Sequence, residues 1–286
     1  MAYRIVTDTC CDFPEQMYQD LNLTAVPLSV NFRGKTVSSY PESWLKDMFA
    51  GLRAGEEATT SAANPQSWEE AILPMLEKGE DVLVLAFSSG LSTTYQSAVI
   101  AANELMERFP GRTVKVVDTL CASLGQGLFV YYACQKRDEG LSLEELTDWC
   151  EKKKYNLCHW FTVDDLMYLK RGGRVSAATA LVGTMLQIKP VLHVDNEGRL
   201  INMAKVRGRK ASIAALAKKM GETMLPGEND TVFICHGDCQ EDAEHLADLV
   251  KEQYGVKNVF IYYVGAVIGS HSGPGTLALF FMGKGR

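Results

Sequence analysis

The chain has 286 residues, of which 47% are hydrophobic and 22% charged. This length fits roughly two domains of about 100–200 residues each, and the composition is that of a globular protein, which excludes intrinsic disorder and fibrous repeats. The 29 basic and 35 acidic residues give a net charge of −6, which creates no field that attracts a phosphate backbone. Nucleic acid is therefore not an expected partner.

No export or membrane segment is expected. Asp8 interrupts the first apolar residues too early for the core of a signal peptide. Glycines and Pro274 interrupt the longest uncharged stretch, 259–283, so it is not expected to span a bilayer. The eight cysteines are scattered through an acidic chain, which fits a reducing compartment better than a disulfide framework. The sequence predicts a cytoplasmic protein.

The first half alternates short β-branched runs with helical patterns. The predicted strands are Tyr3–Thr7, Thr24–Asn31, Asp81–Ser88 and Thr113–Thr119, and the predicted helices are Phe13–Leu21, Glu42–Leu52, Pro65–Glu77, Thr93–Phe109, Ser123–Glu139 and Leu143–Lys153. This alternation is typical of a largely parallel sheet with helices on both faces. A capping box at Ser142 and Glu145 begins the last of these helices, and the domain boundary is placed after it.

The second half has a different pattern, in which two strands flank a turn at Asn196–Gly198. The predicted strands are Asn156–Thr162, Val191–Val194, Leu200–Val206, Thr231–His236 and Asn258–Val264, and the predicted helices are Lys210–Thr223, Asp242–Tyr254 and Pro274–Met282. Such a hairpin is typical of an α+β domain. We therefore predict an N-terminal α/β domain at residues 1–155 and a C-terminal α+β domain at residues 156–286.

Hydroxyl-bearing residues gather where the predicted strands of the first half end. The segments are Thr7-Asp8-Thr9, Ser88–Thr94 and Asp118-Thr119, with Thr59-Thr60-Ser61 ahead of a helix cap at Asn64. Ligands of open α/β sheets bind at the carboxyl ends of strands, so these donors predict a site for a carboxylate or a phosphate. Each cluster alone also fits ordinary N-caps and loop residues.

Two glycine-rich segments carry basic side chains. Leu169–Arg174 allows Arg171 and Arg174 to approach a phosphate or an acidic partner surface, and it also fits a solvated turn between helices. His271 falls in a predicted loop, Gly269–Gly275, ahead of the predicted last helix. Glycines allow the backbone of such a loop to approach a ligand closely.

Several common catalytic motifs are missing from the sequence. There is no phosphate-binding Gly-x-x-x-x-Gly-Lys-Ser/Thr string and no Gly-x-Ser-x-Gly nucleophile elbow. Cys235, His236, Cys239 and His245 match no common zinc spacing, and the first two, being consecutive in a strand, are expected to point to opposite faces. Neither a metal site nor a cofactor is predicted.

A series of strings along the whole chain resembles the DegV family of bacterial fatty-acid-binding proteins. The strings are Thr7-Asp8-Thr9 with Asp12, Thr60-Ser61, Ser88–Ser92 followed by Thr94–Ala98, Asp118-Thr119 with Ser123 and Gly125-Gln126-Gly127, Leu169–Arg174, Lys189-Pro190 and His271–Gly275. Their order makes the resemblance specific. It implies an N-terminal α/β domain resting on a C-terminal α+β domain, with a long-chain fatty acid buried between them and into the second.

The resemblance also implies the site and the role. Hydroxyls and a histidine are expected to hold the carboxylate, and the candidate ligand-binding residues are Thr60, Ser61, Ser89, Ser92, Thr93, His271, Ser272 and Gly273. Family members called fatty-acid kinase B subunits present the acid to a separate ATP-using kinase subunit, which makes an acyl phosphate. The implied protein is a carrier, not an enzyme, with the kinase subunit as its partner and transient membrane contact during lipid exchange. One of Arg171 and Arg174 is expected to serve docking or phosphoryl transfer.

The chain departs from the family pattern at two places. The threonine-serine motif continues with Ala62-Ala63-Asn64 where the family usually has glutamine, proline and serine, and Thr93 takes the place of a glycine after Ser92. We expect these changes to alter the shape of the pocket for the headgroup.

A fatty acid is also favoured by the free energy of transfer. Burial of a methylene contributes roughly 0.8 kcal/mol, so about 14 methylenes contribute on the order of 11 kcal/mol, above the low end of the association cost. Hydroxyls and one histidine would offset burial of the carboxylate without a full ion pair. Candidate tunnel residues are Met185 and Leu186 in Ala177–Ile188, and Leu277, Phe280 and Phe281 in Leu277–Met282, where ordinary core packing is an equal explanation.

Two other functions stay open at this point. One is an acyl or ester hydrolase with Ser92 as nucleophile and His271 as base, for which no motif speaks. The other is a lipid sensor without a kinase partner.

Overall fold

The computed structural model describes residues 3–176 and 187–286. The strands are β1 Tyr3–Asp8, β2 Thr24–Val26, β3 Ser29–Phe32, β4 Lys35–Val37, β5 Ala58–Ser61, β6 Asp81–Ala86, β7 Val114–Asp118, β8 Leu157–Thr162, β9 Ile188–Val194, β10 Leu200–Arg207, β11 Thr231–His236, β12 Asn258–Tyr263 and β13 Leu277–Met282. The helices are α1 Glu15–Asp20, α2 Glu42–Arg53, α3 Pro65–Glu77, α4 Thr94–Arg108, α5 Leu124–Asp138, α6 Leu143–Lys153, α7 Met167–Arg171, α8 Arg209–Thr223, α9 Gln240–Tyr254 and α10 Ala266–Ser272. Within these described residues, no helix is both long and apolar enough to cross a bilayer.

Three sheets organise the described part of the chain. The first, in the order β2-β1-β6-β7, is entirely parallel. The second, in the order β10-β9-β8-β13-β11-β12, is antiparallel except where β11 pairs with β12. A small antiparallel sheet, β4-β3-β5, is the third. A parallel N-terminal sheet and a separate mixed C-terminal sheet confirm the predicted fold class.

The mixed sheet is buried on both faces, and β13 shows why. Ala278 and Phe280 point into a core cluster that also contains Ile5 and Leu83 of the parallel sheet. Leu277 and its alternate neighbours Leu279 and Phe281 point the other way, into a cluster with residues of α8 and α9. Successive side chains of a strand lie on opposite faces of the sheet. In a strand that is covered on both faces, the side chains on each face must therefore be apolar.

The predicted last helix, Pro274–Met282, is wrong. Leu277–Met282 is a central strand, and the nearby helix is α10, which ends at Ser272 and carries His271 in its last turn rather than in a loop. The six-residue run has no polar alternation because both of its faces are buried, and periodicity therefore does not separate a strand from a helix there.

The predicted strand Thr24–Asn31 is two strands, β2 and β3, which belong to different sheets. Pro27 lies between them, and its missing N–H prevents a continuous ladder. The segment Ala58–Ser61, where the sequence predicts no strand, pairs with β3 as strand β5. The predicted helices at Pro65–Glu77 and Leu143–Lys153 are confirmed residue for residue, the second with its capping box.

Candidate functional site

A cavity of about 450 Å³ lies between the loops after β6 and β7 and one face of the mixed sheet. Its volume falls within the roughly 300–1,000 Å³ typical of small-molecule sites. Seven of the eight predicted ligand-binding residues line it: Thr60, Ser61, Ser89, Ser92, Thr93, His271 and Ser272. Gly273 is not among the lining residues.

His271 and Thr60 form a polar contact in the cavity wall. The Nε2 atom of His271 lies 2.8 Å from Thr60 Oγ1, which joins helix α10 to strand β5. The ring packs so closely on Gly172 that a Cβ there would lie 2.2 Å from Nδ1. Burial, together with the guanidinium of Arg174, lowers the pKa of His271 to about 4. The imidazole is therefore neutral at pH 7, with one N–H donor and one acceptor nitrogen.

The serine-rich loop between β6 and α4 forms another side of the cavity. Ser92 Oγ lies 2.8 Å from Thr94 Oγ1 and accepts the Thr94 N–H at 3.2 Å. The backbone N–H of Ser89 donates to Asp118 Oδ1 at 3.2 Å, which ties this loop to the end of β7. Ser92 thus bonds to the first residue of helix α4 and lines the cavity at the same time.

Two of the four residues that depart from the family pattern line the cavity. Thr93 and Ala62 are exposed and line the cavity. Asn64 instead caps helix α3, because its Oδ1 accepts the Ser67 N–H at 2.9 Å. The departures therefore bear on the lining of the cavity and on the start of α3.

Ser272 and Gly273 end helix α10 and differ in role. Ser272 lines the cavity, is buried, and its Oγ has no hydrogen-bond partner among the described residues. A buried hydroxyl without a partner is costly, which indicates a ligand that bonds to it. Gly273 has φ = +80°, and a Cβ there would collide with the ring of Tyr168, so its place in the motif is structural.

The two arginines of the basic segment are in different surroundings. Arg174 lines the cavity, and its guanidinium donates to Leu91 O at 3.2 and 3.0 Å and to Gly172 O. Arg171 is exposed, lies over the ring of Tyr168 at 4.6 Å and is 3.8 Å from a carboxylate oxygen of Glu57. Only Arg174 belongs to the cavity itself.

Apolar side chains complete the lining. They are Leu28, Phe87, Leu91, Ala122, Phe161, Leu169, Val194, Leu200, Val264, Val267, Ile268, Ala278 and Phe280. Among the predicted tunnel residues, Phe280 is confirmed, whereas Leu277 and Phe281 face the opposite side of the sheet. Met185 and Leu186, with most of the predicted segment Ala177–Ile188, lie outside the described residues.

The inner wall also contains polar residues that the sequence does not predict as lining, among them Ser123, His159 and Cys235. Ala122 N–H donates to His159 Nε2 at 3.2 Å, and burial holds the pKa of this histidine well below its usual value. His159 and Cys235 stand in apolar strands without a local signal. Ser123 stands in a family string, which would have been the one signal for it.

The hydrolase alternative needs a bond between Ser92 and His271. The structure of residues 3–176 and 187–286 has no such bond: Ser92 is bonded to Thr94, and His271 is bonded to Thr60. Nor is any group of three His, Cys, Asp or Glu side chains placed to hold a metal ion in residues 3–176 and 187–286. The described residues form a cavity whose lining combines apolar side chains with hydroxyls, histidines and Arg174.

Comparison with known proteins places this architecture among relatives. The family model "Uncharacterised protein, DegV family" matches residues 2–284. A DegV domain-containing protein of Clostridium perfringens (strain 13 / Type A) is 44% identical over 281 residues, which cover 98% of this chain and 97% of the relative.

Solved structures extend the similarity to the fold. A DegV family protein from Thermus thermophilus, described for its fatty acid binding, is 33% identical with a TM-score of 0.88 and covers 99% of this chain and 100% of its own. A DegV lipid binding protein from Thermotoga maritima is 30% identical with a TM-score of 0.86, and each chain covers 100% of the other. Since the family model spans nearly all residues and the relatives match over their full lengths, the chain belongs to the DegV family.

Proposed function

We propose that this protein binds one long-chain fatty acid and acts as its carrier, with no covalent step of its own. The observation that carries the proposal is a cavity that combines apolar side chains with Arg174, a cation that has no carboxylate counter-ion among the described residues. Burial lowers the pKa of the Arg174 guanidinium, and no carboxylate of residues 3–176 and 187–286 raises it. Its hydrogen-bond acceptors there are backbone carbonyls.

A carboxylate fits the cavity at Arg174. It would supply the negative charge that Arg174 lacks and accept a hydrogen bond from the unpartnered Ser272 Oγ. If His271 donates through Nε2 to Thr60, the Thr60 hydroxyl is free to donate to the carboxylate as well. Hydrogen bonds to an ionised acceptor are roughly twice as strong as neutral ones, so few donors suffice.

The rest of the lining suits a hydrocarbon tail. Aromatic and aliphatic side chains, Phe161, Ala278 and Phe280 among them, supply apolar surface that a hydrocarbon tail can contact. The names of the Thermus and Thermotoga relatives, which describe fatty acid and lipid binding, support the same ligand class.

The test is the mass of the lipid that copurifies with the native protein, followed by calorimetric titration of the delipidated protein. We expect one saturated or unsaturated long-chain acid per chain, and tighter binding of hexadecanoic acid than of hexadecanol. Recovery of no lipid together with no heat of binding for the acid would reject the proposal.

We further infer that the bound acid is presented to a separate ATP-dependent kinase subunit. A second, outer cleft of about 340 Å³ shares Thr60, Arg174 and His271 with the cavity, so the headgroup wall is reached from outside. Arg171 lines this outer cleft without lining the cavity. An exposed charge in that place is suited to steer a partner surface.

The partner inference is tested with the variant Arg171→Ala. We expect hexadecanoic acid to bind as in the wild type, while acyl-phosphate formation with the kinase subunit falls about tenfold through slower association. Arg108→Ala is the control, because Arg108 is an exposed arginine paired with Glu69, and it lines neither the cleft nor the cavity. An unchanged rate in Arg171→Ala would contradict the docking role, and no complex with any kinase subunit would favour the lipid sensor.

We also propose a cytoplasmic location with transient membrane contact during lipid exchange. All eight thiols are free, and seven of them are buried. Buried free thiols fit a reducing compartment. Fractionation of cells by ultracentrifugation, with and without added fatty acid, tests both statements.

A further inference from the structure

Asp12 and Ser123, two motif residues that the headgroup does not use, meet in the core. Asp12 is 5% exposed, and its Oδ2 accepts a hydrogen bond from Ser123 Oγ. Both residues have φ = +55°, a left-handed conformation that few non-glycine residues adopt. The contact between them therefore holds two unfavourable backbone turns in place.

Asp12 also contacts the start of helix α10. The backbone of Gly265, the residue before the helix, lies against the Asp12 carboxylate, and its N–H opposes the rise of the Asp12 pKa that burial causes. A Cβ at position 265 would lie 2.1 Å from Asp12 Oδ1, so only glycine allows this approach. A carboxylate at a helix N-terminus is favoured by the helix dipole. At 1.5 Å per residue, the same helix carries His271 and Ser272 about 10 Å further on.

Ser123 links Asp12 to the cavity wall on the other side. Its side chain lines the inner wall, and its Oγ lies 3.3 Å from Cys235 Sγ of strand β11. Ser123 also precedes helix α5, whose first turn packs against Cys11 and Phe13 at Gly127. One carboxylate thus packs against the start of the helix that carries the headgroup donors and is hydrogen-bonded to the inner wall.

We propose that Asp12 is a positioning residue for the fatty-acid site. By holding Gly265 and Ser123 together it sets the distance between the donors at the end of α10 and the inner wall of the cavity. It does not line that cavity. This inference rests on the proposed function, since it assumes that the donors of α10 bind a carboxylate.

The experiment measures affinity for hexadecanoic acid and for hexadecanol in Asp12→Ala, Gly265→Ala and the double variant. Asp12→Ala should weaken binding of the acid about tenfold and binding of the alcohol less than about threefold, because the displaced donors act on the carboxylate. Asp81→Asn is the control: Asp81 is a buried carboxylate at the opposite end of β6 that accepts the Thr113 N–H at 2.8 Å. It should leave the ratio of the two affinities unchanged.

The double variant tests the contact directly. All three heavy atoms nearest a Cβ at position 265 belong to Asp12, so Gly265→Ala should have a much smaller effect in the Asp12→Ala background than alone. If Asp12→Ala does not fold, Asp12→Gly takes its place in the cycle, because it removes the same side-chain atoms and glycine adopts φ = +55° readily.

Equal losses for acid and alcohol, or additive effects of the two substitutions, would overturn the positioning role while leaving the proposed function intact. Wild-type protein that binds neither lipid would overturn the proposed function and this role with it.

Discussion

At the scale of single residues, His271 shows how a site side chain acts through its surroundings. Its ring is held between Gly172 and Thr60, and burial keeps it neutral. A neutral imidazole orients the Thr60 hydroxyl and leaves the positive charge to Arg174. Neighbouring Ser272 contributes a buried hydroxyl that has no hydrogen-bond partner within residues 3–176 and 187–286. The carboxylate is thus expected to meet one charge and several oriented hydroxyls.

Removal of one donor should weaken binding of the acid more than binding of the alcohol. Loss of a hydrogen bond to a charged acceptor costs about 1.5–3 kcal/mol, so His271→Ala, Ser92→Ala and Thr60→Val should each weaken hexadecanoic acid binding roughly ten- to a hundredfold. Calorimetric titration with the acid and with hexadecanol measures this. If acid and alcohol respond alike, the carboxylate lies elsewhere.

The neutral state of His271 should also appear in stability. Its pKa is lowered to about 4 in the folded chain, so between about pH 6.5 and pH 4 the unfolded chain takes up a proton that the folded chain does not. The free energy of unfolding of the ligand-free wild type should therefore decrease as the pH is lowered through this window. Relative to His271→Gln, the decrease should be at most about 1.4 kcal/mol per pH unit.

Urea denaturation at a series of pH values measures this difference. His245→Gln, at an exposed position of helix α9, is the control and should follow the wild type. A constant gap between wild type and His271→Gln from pH 7 to pH 4 would show that the histidine is not buried neutral.

At the scale of elements, β13 combines core and site in one strand. Ala278, paired with Cys235 and Phe161, faces the cavity, while Leu279 faces the cluster under α8 and α9. The small side chain at position 278 leaves space that a larger one would fill. The two faces of the same strand therefore offer a direct comparison.

Ala278→Phe should weaken hexadecanoic acid binding more than tenfold by filling the cavity, with an overpacking cost of about 1–3 kcal/mol in stability. Leu279→Phe is the matched control, since it overpacks the opposite face and should spare binding. Titration with hexadecanoic and octanoic acid, next to thermal unfolding, separates the two effects. Unchanged affinity in Ala278→Phe would remove the tail from this part of the sheet.

At the scale of the whole molecule, the site is shared between the halves. Thr60 and Ser92 come from the part before residue 155, and Arg174 and His271 from the part after it. One core cluster likewise combines residues of the parallel sheet with Phe233 and Phe280 of the mixed sheet. The domain boundary near residue 155 stays a prediction. Because the two halves share this core cluster, we expect them to unfold together.

We expect a single thermal transition that moves upward with hexadecanoic acid. A ligand at a hundredfold excess over its Kd adds about 2.7 kcal/mol to the folded state, and both halves contribute to the site. Scanning calorimetry of the full chain with and without the acid measures the shift. Two transitions, of which only one responds, would contradict the shared site.

Local structure can be predicted from neighbouring residues wherever a short-range signal is strong. The capping box at Ser142 and the Asn64-Pro65 start depend on neighbouring residues only, and the structure has both helices at the predicted bounds. The antiparallel pairing of β9 and β10 follows from a turn between two β-branched runs. Ser89, Ser92 and Thr93 line the cavity because they follow β6, at the edge where the carboxyl ends of parallel strands meet. The other four predicted lining residues come from strand β5 and helix α10, and no local signal places those elements at the cavity.

Other features of the fold and of the site depend on contacts between residues that are distant in sequence. Leu277–Met282 is a strand because it pairs with β11 and β8 and packs against an apolar cluster on each face. These partners are distant in sequence, so a run of six apolar residues does not indicate them. The division of Arg174 to the cavity and Arg171 to the outside depends on which carbonyls and aromatic rings the fold brings beside each guanidinium. Asp12, Ser123 and Gly265 meet across more than 250 residues of sequence, a contact that long-range packing alone creates.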